Sequence, residues 1–253
     1  MKKKIISLCL VIALVATAIA GATLAYFTDT TEVNKNTFSV GDVDIKLDET
    51  NTDGGKDDPA RDTENKYENI YPNQTVVKDP TVTFEKDSRD CFVRMLVTVN
   101  YDKLVAAFPS TEENGYKYAD LWEGELFLLE KLVVDKDGEC TWEKATWPVA
   151  NVSYETKNVG TEEEPENVKF ATYEFRYFGK KADEKGVISA ANAKKDVSLE
   201  DLFEYITFPA DMTNDEIGAL DGFKVDVVAH AMQAESFTNA GDAWTAFDSA
   251  DKD

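Results

Sequence analysis

The chain has 253 residues, with 27 Lys and Arg against 49 Asp and Glu, and carries a formal charge of -22. A field of that sign excludes nucleic acid and anionic lipid as partners and favours basic partners or cationic wall components, while also keeping an abundant secreted protein in solution. Three cysteines, one of them within the first ten residues, exclude a small disulfide-stapled scaffold, so a packed core must supply the stability.

Lys2, Lys3 and Lys4 precede an uncharged run from Ile5 to Phe27, the pattern of an export signal. The run is long enough to span a bilayer. However, Ala16, Ala18, Ala20, Gly21, Ala22 and Ala25 crowd its end and no basic stop-transfer cluster follows. Residues 1–25 therefore read as a signal peptide cleaved between Ala25 and Tyr26, with no retained membrane segment. Cys9 is a passenger in its apolar core. Cleavage removes three lysines and no acid, moving the charge from -22 to -25 on 228 residues.

Residues 26–40 form a polar arm with isolated hydrophobes at Phe27, Val33 and Phe38. Val43, Ile45 and Leu47 then alternate with Asp42, Asp44, Lys46 and Asp48, which predicts a half-buried strand with its acids in water. An acidic, nearly non-apolar loop follows over 49–69. Thr75 to Phe84 is strand-like, with Pro80 marking an edge or a break. Cys91 to Val99 is apolar on both parities and predicts a central strand covered on two sides.

Leu104, Val105 and Phe108 suggest a short helix. Leu126–Val134 and Cys140–Trp147 flank Asp137-Gly138, a tight-turn pair that predicts a hairpin. Val149 to Tyr154 adds a short strand. In the next strand Ala171, Tyr173, Phe175 and Tyr177 form an aromatic core face opposite Phe170, Thr172, Glu174, Arg176 and Phe178. Leu199 to Ile206 predicts a short helix, Met212 to Leu220 another brief helix or loop, and Phe223 to Met232 a strand. Asn239 caps a final helix whose Trp244 and Phe247 share the face that packs on the domain.

Eight to ten strands with sparse helix predict an all-β fold: a jelly-roll-like two-sheet β-sandwich over residues 41–253, with short helices in connections and near the C-terminus. Cys91 and Cys140 are either a disulfide pair or two free thiols. His230 is the one histidine and lies on the face opposite Val225, Val227 and Ala229. A zinc peptidase needs several ligands and a base, and neither His230 with Glu235 nor any serine or cysteine forms such a motif. No catalytic, metal or cofactor-binding residue is assigned. Calcium has candidate oxygens in Asp53, Asp57, Asp58, Asp62 and Glu64, and in Asp135, Asp137 and Glu139, though neither set follows the twelve-residue loop and both also read as solvated turns.

The run Thr23-Leu24-Ala25-Tyr26-Phe27-Thr28-Asp29-Thr30, followed by Asn36-Thr37-Phe38, Gly41 and the Leu47 strand, resembles the start of the camelysin and TasA family of bacterial biofilm-matrix and surface proteins. Tyr71-Pro72-Asn73-Gln74-Thr75-Val76-Val77-Lys78 is similar to that family's turn-to-strand element, with Asn73 where glycine is more usual. The resemblance is specific over residues 1–47 and weak beyond. It implies export through a dedicated, SipW-type signal peptidase, a jelly-roll subunit of surface or matrix fibres, and self-association or association with related matrix proteins. It also implies that residues 26 to about 40 complete a neighbour's sheet; on the residues alone they equally fold back on their own domain. Members described as metal-dependent peptidases imply a hydrolase alternative. Two others are a monomeric secreted binding module using aromatics such as Tyr116, Tyr118 and Trp122, and an accessory in fibre assembly. Ser249-Ala250-Asp251-Lys252-Asp253 shows no wall-sorting pattern, which favours release into the matrix or a non-covalent hold on the surface.

Overall fold

The computed structural model describes residues 28–31, 38–40, 43–52, 61–63, 65, 67, 69–107, 133–161, 164–189 and 194–250. The signal segment with its Ala25–Tyr26 cleavage point, Phe27 and Val33 of the arm, Asp53, Asp57, Asp58 and Glu64, and the aromatics Tyr116, Tyr118 and Trp122 lie outside them.

Twelve strands and three helices follow one another among these residues. They are β1 (Thr28–Thr31), β2 (Phe38–Val40), β3 (Ile45–Thr50), β4 (Arg61–Asp62), β5 (Thr75–Val77), β6 (Thr81–Phe84), β7 (Cys91–Asn100), α1 (Tyr101–Ala107), β8 (Val149–Asn158), β9 (Asn167–Arg176), β10 (Val197–Ser198), β11 (Tyr205–Thr207), α2 (Asn214–Ala219), β12 (Val225–Gln233) and α3 (Ala240–Ala250). A six-stranded antiparallel sheet runs β2-β1-β12-β7-β9-β8, a four-stranded one β10-β6-β3-β4, and β11 pairs with β5. The chain is an all-β sandwich with short helices at its connections. No described helix is long and apolar enough to cross a membrane.

Alternation explains the main core. Cys91, Val93, Met95, Val97 and Val99 of β7, Ala171, Tyr173 and Phe175 of β9, and Val227, Ala229 and Ala231 of β12 meet Ile45 and Leu47 of β3 and Val82 and Phe84 of β6. The aromatic face read from β9 is the buried one, and Tyr177 continues it. The opposite parity of the large sheet is covered as well. Phe92 and Met232 pack with Ala240, Ala243, Trp244 and Phe247 of α3 in a second, smaller core. β7 is therefore central and covered on both faces, as its unbroken apolar run requires. Asn239 caps α3, its Oδ1 accepting the Asp242 N–H at 3.0 Å.

Pro80 divides what reads as one strand: β5 and β6 fall in different sheets. Asn73 takes the left-handed conformation at φ 63°, which asparagine tolerates and for which glycine is the usual choice. Gly138 does the same at φ 82° in the predicted tight turn, closed by the Asp135 N–H bond to Glu139 O at 2.9 Å. Within the described residues that hairpin has one bridge, Val134 to Cys140, and residues 141–148 are not a strand.

Two expectations are corrected, the helix at Leu199–Ile206 and the exposure of Asp48, and two open alternatives are narrowed. Leu199–Ile206 is not a helix: Leu199 N–H bonds Val82 O at 2.8 Å and Leu202 N–H bonds Pro80 O at 3.1 Å, so the segment runs beside β6 and enters β11. The buried Leu199, Leu202 and Phe203 mimic helical spacing while their backbone serves a sheet. Of the two readings left open for the cysteines, the structure has free thiols, Cys91 buried at the start of β7 and Cys140 exposed on the hairpin. Of the two arrangements open to the arm, the single chain shows the intramolecular one, with β1 and β2 as strands of the large sheet. Finally, Asp48 is not in water: it is 5 % exposed and held by Arg61, while Glu49, on the inward parity, is 6 % exposed and held by Lys78.

Candidate functional site

β12 bonds β7 on one side along its whole length, from Val225 opposite Val99 to Gln233 opposite Cys91. On its other side it bonds β1 over four residues, Thr28 opposite Met232 through Thr31 opposite Ala229. β2 then pairs outside β1, with Thr28 opposite Val40 and Thr30 opposite Phe38. Among the described residues, the outermost strands at that margin thus come from the N-terminal arm. If β1 leaves, the N–H and C=O groups of Ala229–Met232 on that side lose their partners and become an acceptor edge for any extended chain. That edge is held rigid by β7 and braced on its two faces by the main core and by α3.

His230 sits on the same stretch, opposite Thr30 of β1 and Arg94 of β7. Its ring stacks on Phe247 at 4.7 Å between centroids, and its Nδ1 accepts from Arg94 Nε at 3.1 Å. Arg94 is 3 % exposed. Its guanidinium forks onto Asp248 at 3.1 and 2.5 Å, lies 3.6 Å from Glu174 Oε1, and covers the rings of Trp244 at 4.5 Å and Phe247 at 5.0 Å. Arg176 Nε adds a 2.8 Å bond to the same Glu174 oxygen. This cluster clamps α3 to the sheet directly behind the edge that β1 occupies.

Burial, with the Arg94 charge adding to it, lowers the His230 pKa to about 3. The folded protein thus keeps this ring neutral where the unfolded chain, with a histidine pKa near ~6.5, takes up a proton. Stability is unaffected by His230 above about pH 6.5 and is lost as pH falls from there towards about 3. Between about pH 7.5 and about pH 5.5, wild type is expected to lose about 1 kcal/mol through this residue. Urea titrations of wild type and His230→Gln at those two pH values measure it. An equal pH dependence in the two proteins would remove the assignment.

Other sequence candidates are dispersed. Asp62 is exposed on β4, and its Oδ1 accepts the Thr63 N–H at 2.7 Å. Asp135 Oδ1 accepts the N–H groups of Asp137 at 2.8 Å and Glu139 at 3.0 Å, and the Glu139 bond first, then the Asp137 bond, holds its pKa below the usual carboxylate value. Glu235 pairs with Arg89 at 3.4 Å, away from any contact with His230 that the structure records. Among the described residues, no three His, Cys, Asp or Glu side chains gather as a metal site. Sequence reading missed Arg94, Glu174 and Asp248 as a unit, and the pairing of Glu49 with Lys78 and Asn65; a signal existed in Glu49, an acid on an otherwise apolar parity.

Residues 1–54 match the family model of camelysin metallo-endopeptidase. The camelysin match covers the export-like segment, the arm with β1 and β2, and β3, and it supports the resemblance carried by Thr23 to Gly41. At the family level it supports a protein of the secreted or surface type. Neither curated proteins nor solved structures gave a match to the chain. The camelysin description names a metal-dependent endopeptidase, which leans towards a hydrolase. His230 does not fit that metal: its Nδ1 is engaged by a guanidinium, its ring is stacked, and a fixed positive charge adjoins it, the reverse of a cation-binding environment.

Proposed function

We propose that the chain is a secreted structural subunit of an extracellular fibre, biofilm matrix or cell envelope, assembling by donation of its N-terminal strand between copies. The observation that carries this reading is the position of β1: a four-residue strand from the arm occupies the margin of β12, and among the described residues the short β2 lies beyond it. A copy's own arm and a neighbour's arm offer the same backbone groups to Ala229–Met232, so exchange conserves the pairing. Donor and acceptor surfaces differ, so head-to-tail repetition extends as an open filament when the rotation from copy to copy does not close a ring.

Residues 26–253 are expected to form filaments visible by electron microscopy and to elute as large species in size-exclusion chromatography. A chain beginning at Gly41 should remain a monomer. Folded monomers from both over a wide concentration range would defeat the self-assembly reading and leave a binding or accessory protein. The hydrolase reading rests on the camelysin description. It predicts peptide hydrolysis that a chelator abolishes, and a His230→Gln chain that retains such activity would remove His230 from it.

A further inference from the structure

Three side chains distant in sequence meet between β3, the acidic segment and the strand leading to β6. Lys78 and Glu49 are 8 % and 6 % exposed. Lys78 Nζ donates to Glu49 Oε1 at 2.5 Å, and the other oxygen of that carboxylate accepts from Asn65 Nδ2 at 3.3 Å. The Asn65 amide is fixed at its remaining positions: Nδ2 also donates to Thr50 O at 2.9 Å, while Oδ1 accepts from the Thr52 N–H at 2.9 Å and the Thr52 hydroxyl at 3.1 Å. An amine, a carboxamide and one carboxylate touching both are thus assembled, with two donors on the carboxamide oxygen.

We propose that Lys78 and Asn65 are joined by an intramolecular isopeptide bond, with Glu49 as the proton carrier. Lys78 passes its ammonium proton to the Glu49 carboxylate that it touches. The neutral Nζ attacks Asn65 Cγ, forming a C–N bond, and negative charge gathers on Oδ1, where the Thr52 N–H and hydroxyl already donate. Glu49 gives its proton to Nδ2 and takes one from the former lysine nitrogen. The Cγ–Nδ2 bond then breaks, Oδ1 returns to a carbonyl, and the leaving ammonia carries off the extra proton as ammonium, restoring the Glu49 carboxylate. Nothing is oxidised or reduced, and no co-reactant is consumed. Holding amine and carboxamide on one carboxylate makes the step unimolecular.

The neighbourhood holds both partners in place. Lys78 N–H bonds Glu204 O at 3.0 Å, and the Tyr67 hydroxyl bonds Val77 O at 2.5 Å. Arg61 donates to Asp48 O at 2.9 Å, Asp79 O at 3.0 Å and the Thr81 hydroxyl at 2.6 Å, tying the acidic segment across β3 and β6. The bond would staple that segment to the sandwich covalently.

Peptide mapping of the full secreted chain by mass spectrometry tests this without reference to assembly or activity. Wild type is expected to yield one branched peptide containing Lys78 and Asn65, lighter than its two parts by one ammonia, with no tryptic cleavage after Lys78. The Glu49→Gln chain should lose the branch and recover cleavage after Lys78, and Asn65→Ala should do the same. Unlinked Lys78 and Asn65 peptides from folded wild type after prolonged incubation would overturn the proposal. So would an undiminished branch in Glu49→Gln, which would remove the carrier on which it depends.

Discussion

Replacing Arg94 with alanine is expected to destabilise the fold by about 3–5 kcal/mol, read from urea unfolding at neutral pH. The size follows from what is left behind. Glu174, whose side chain is 9 % exposed, loses one of its two cationic partners in a site closed to water, His230 Nδ1 loses its donor, and the Trp244 and Phe247 rings lose the guanidinium that covers them. Asp248 is a useful contrast. Its side chain is 51 % exposed, so Asp248→Ala removes the same ion pair from the solvent side and should cost about 1 kcal/mol or less. If the two substitutions cost the same, the Arg94–Asp248 pair and not the buried cluster would set the attachment of α3.

Trp147→Ala should cost a similar amount, about 3–5 kcal/mol, for a different reason. Trp147 is fully buried beside the main core, edge-on to Tyr177 at 4.9 Å between ring centroids. Its Nε1 donates to Glu200 O at 2.9 Å, and its own carbonyl accepts from Trp142 Nε1 at 2.8 Å. Truncation opens a cavity and leaves the Glu200 carbonyl without that donor, at the point where residues 199–204 lie beside β6. Tyr71→Ala, at a ring 58 % exposed, provides the control and should change stability by about 0.5 kcal/mol or less. A loss in Trp147→Ala no larger than in the control would contradict the burial on which the estimate depends.

The difference between these sites also shows what a sequence discloses. Where one strand has one wet face, period two suffices: Ala171, Tyr173 and Phe175 declare the core side of β9. Where a helix has a cap and one apolar face, local spacing again suffices, as Asn239, Trp244 and Phe247 show for α3. Polar residues become ambiguous when a second layer covers the outer face. Nothing local to Arg94, Glu174 or His230 indicates that α3, encoded at residues 240–250, will lie over them. Likewise Glu49, Asn65 and Lys78 belong to three separate stretches, and only the pairing of β3 with β4 and the return of the chain towards β6 bring them together. Leu199–Ile206 failed in the opposite sense, since its helical spacing of apolar residues is satisfied by a segment whose backbone bonds a neighbouring strand.

The same distinction applies to the arm. Its isolated hydrophobes leave open whether it pairs within its own chain or with another, because an edge strand supplies identical backbone groups to either. In the single chain it pairs with β12. Its short length and marginal place in the sheet make it the element most easily exchanged, whereas β12, bonded over nine residues to β7 and covered on both faces, is fixed.

Strand exchange is tested most directly by tethering β1 to its own acceptor. Asp29 and Ala231 are register partners, so Asp29→Cys with Ala231→Cys, in a Cys140→Ser background, allows a reversible intramolecular disulfide. The oxidised chain is expected to remain monomeric in size-exclusion chromatography and to show no filaments by electron microscopy, and reduction should restore assembly. Filaments formed equally well by the oxidised, fully tethered chain would contradict strand donation.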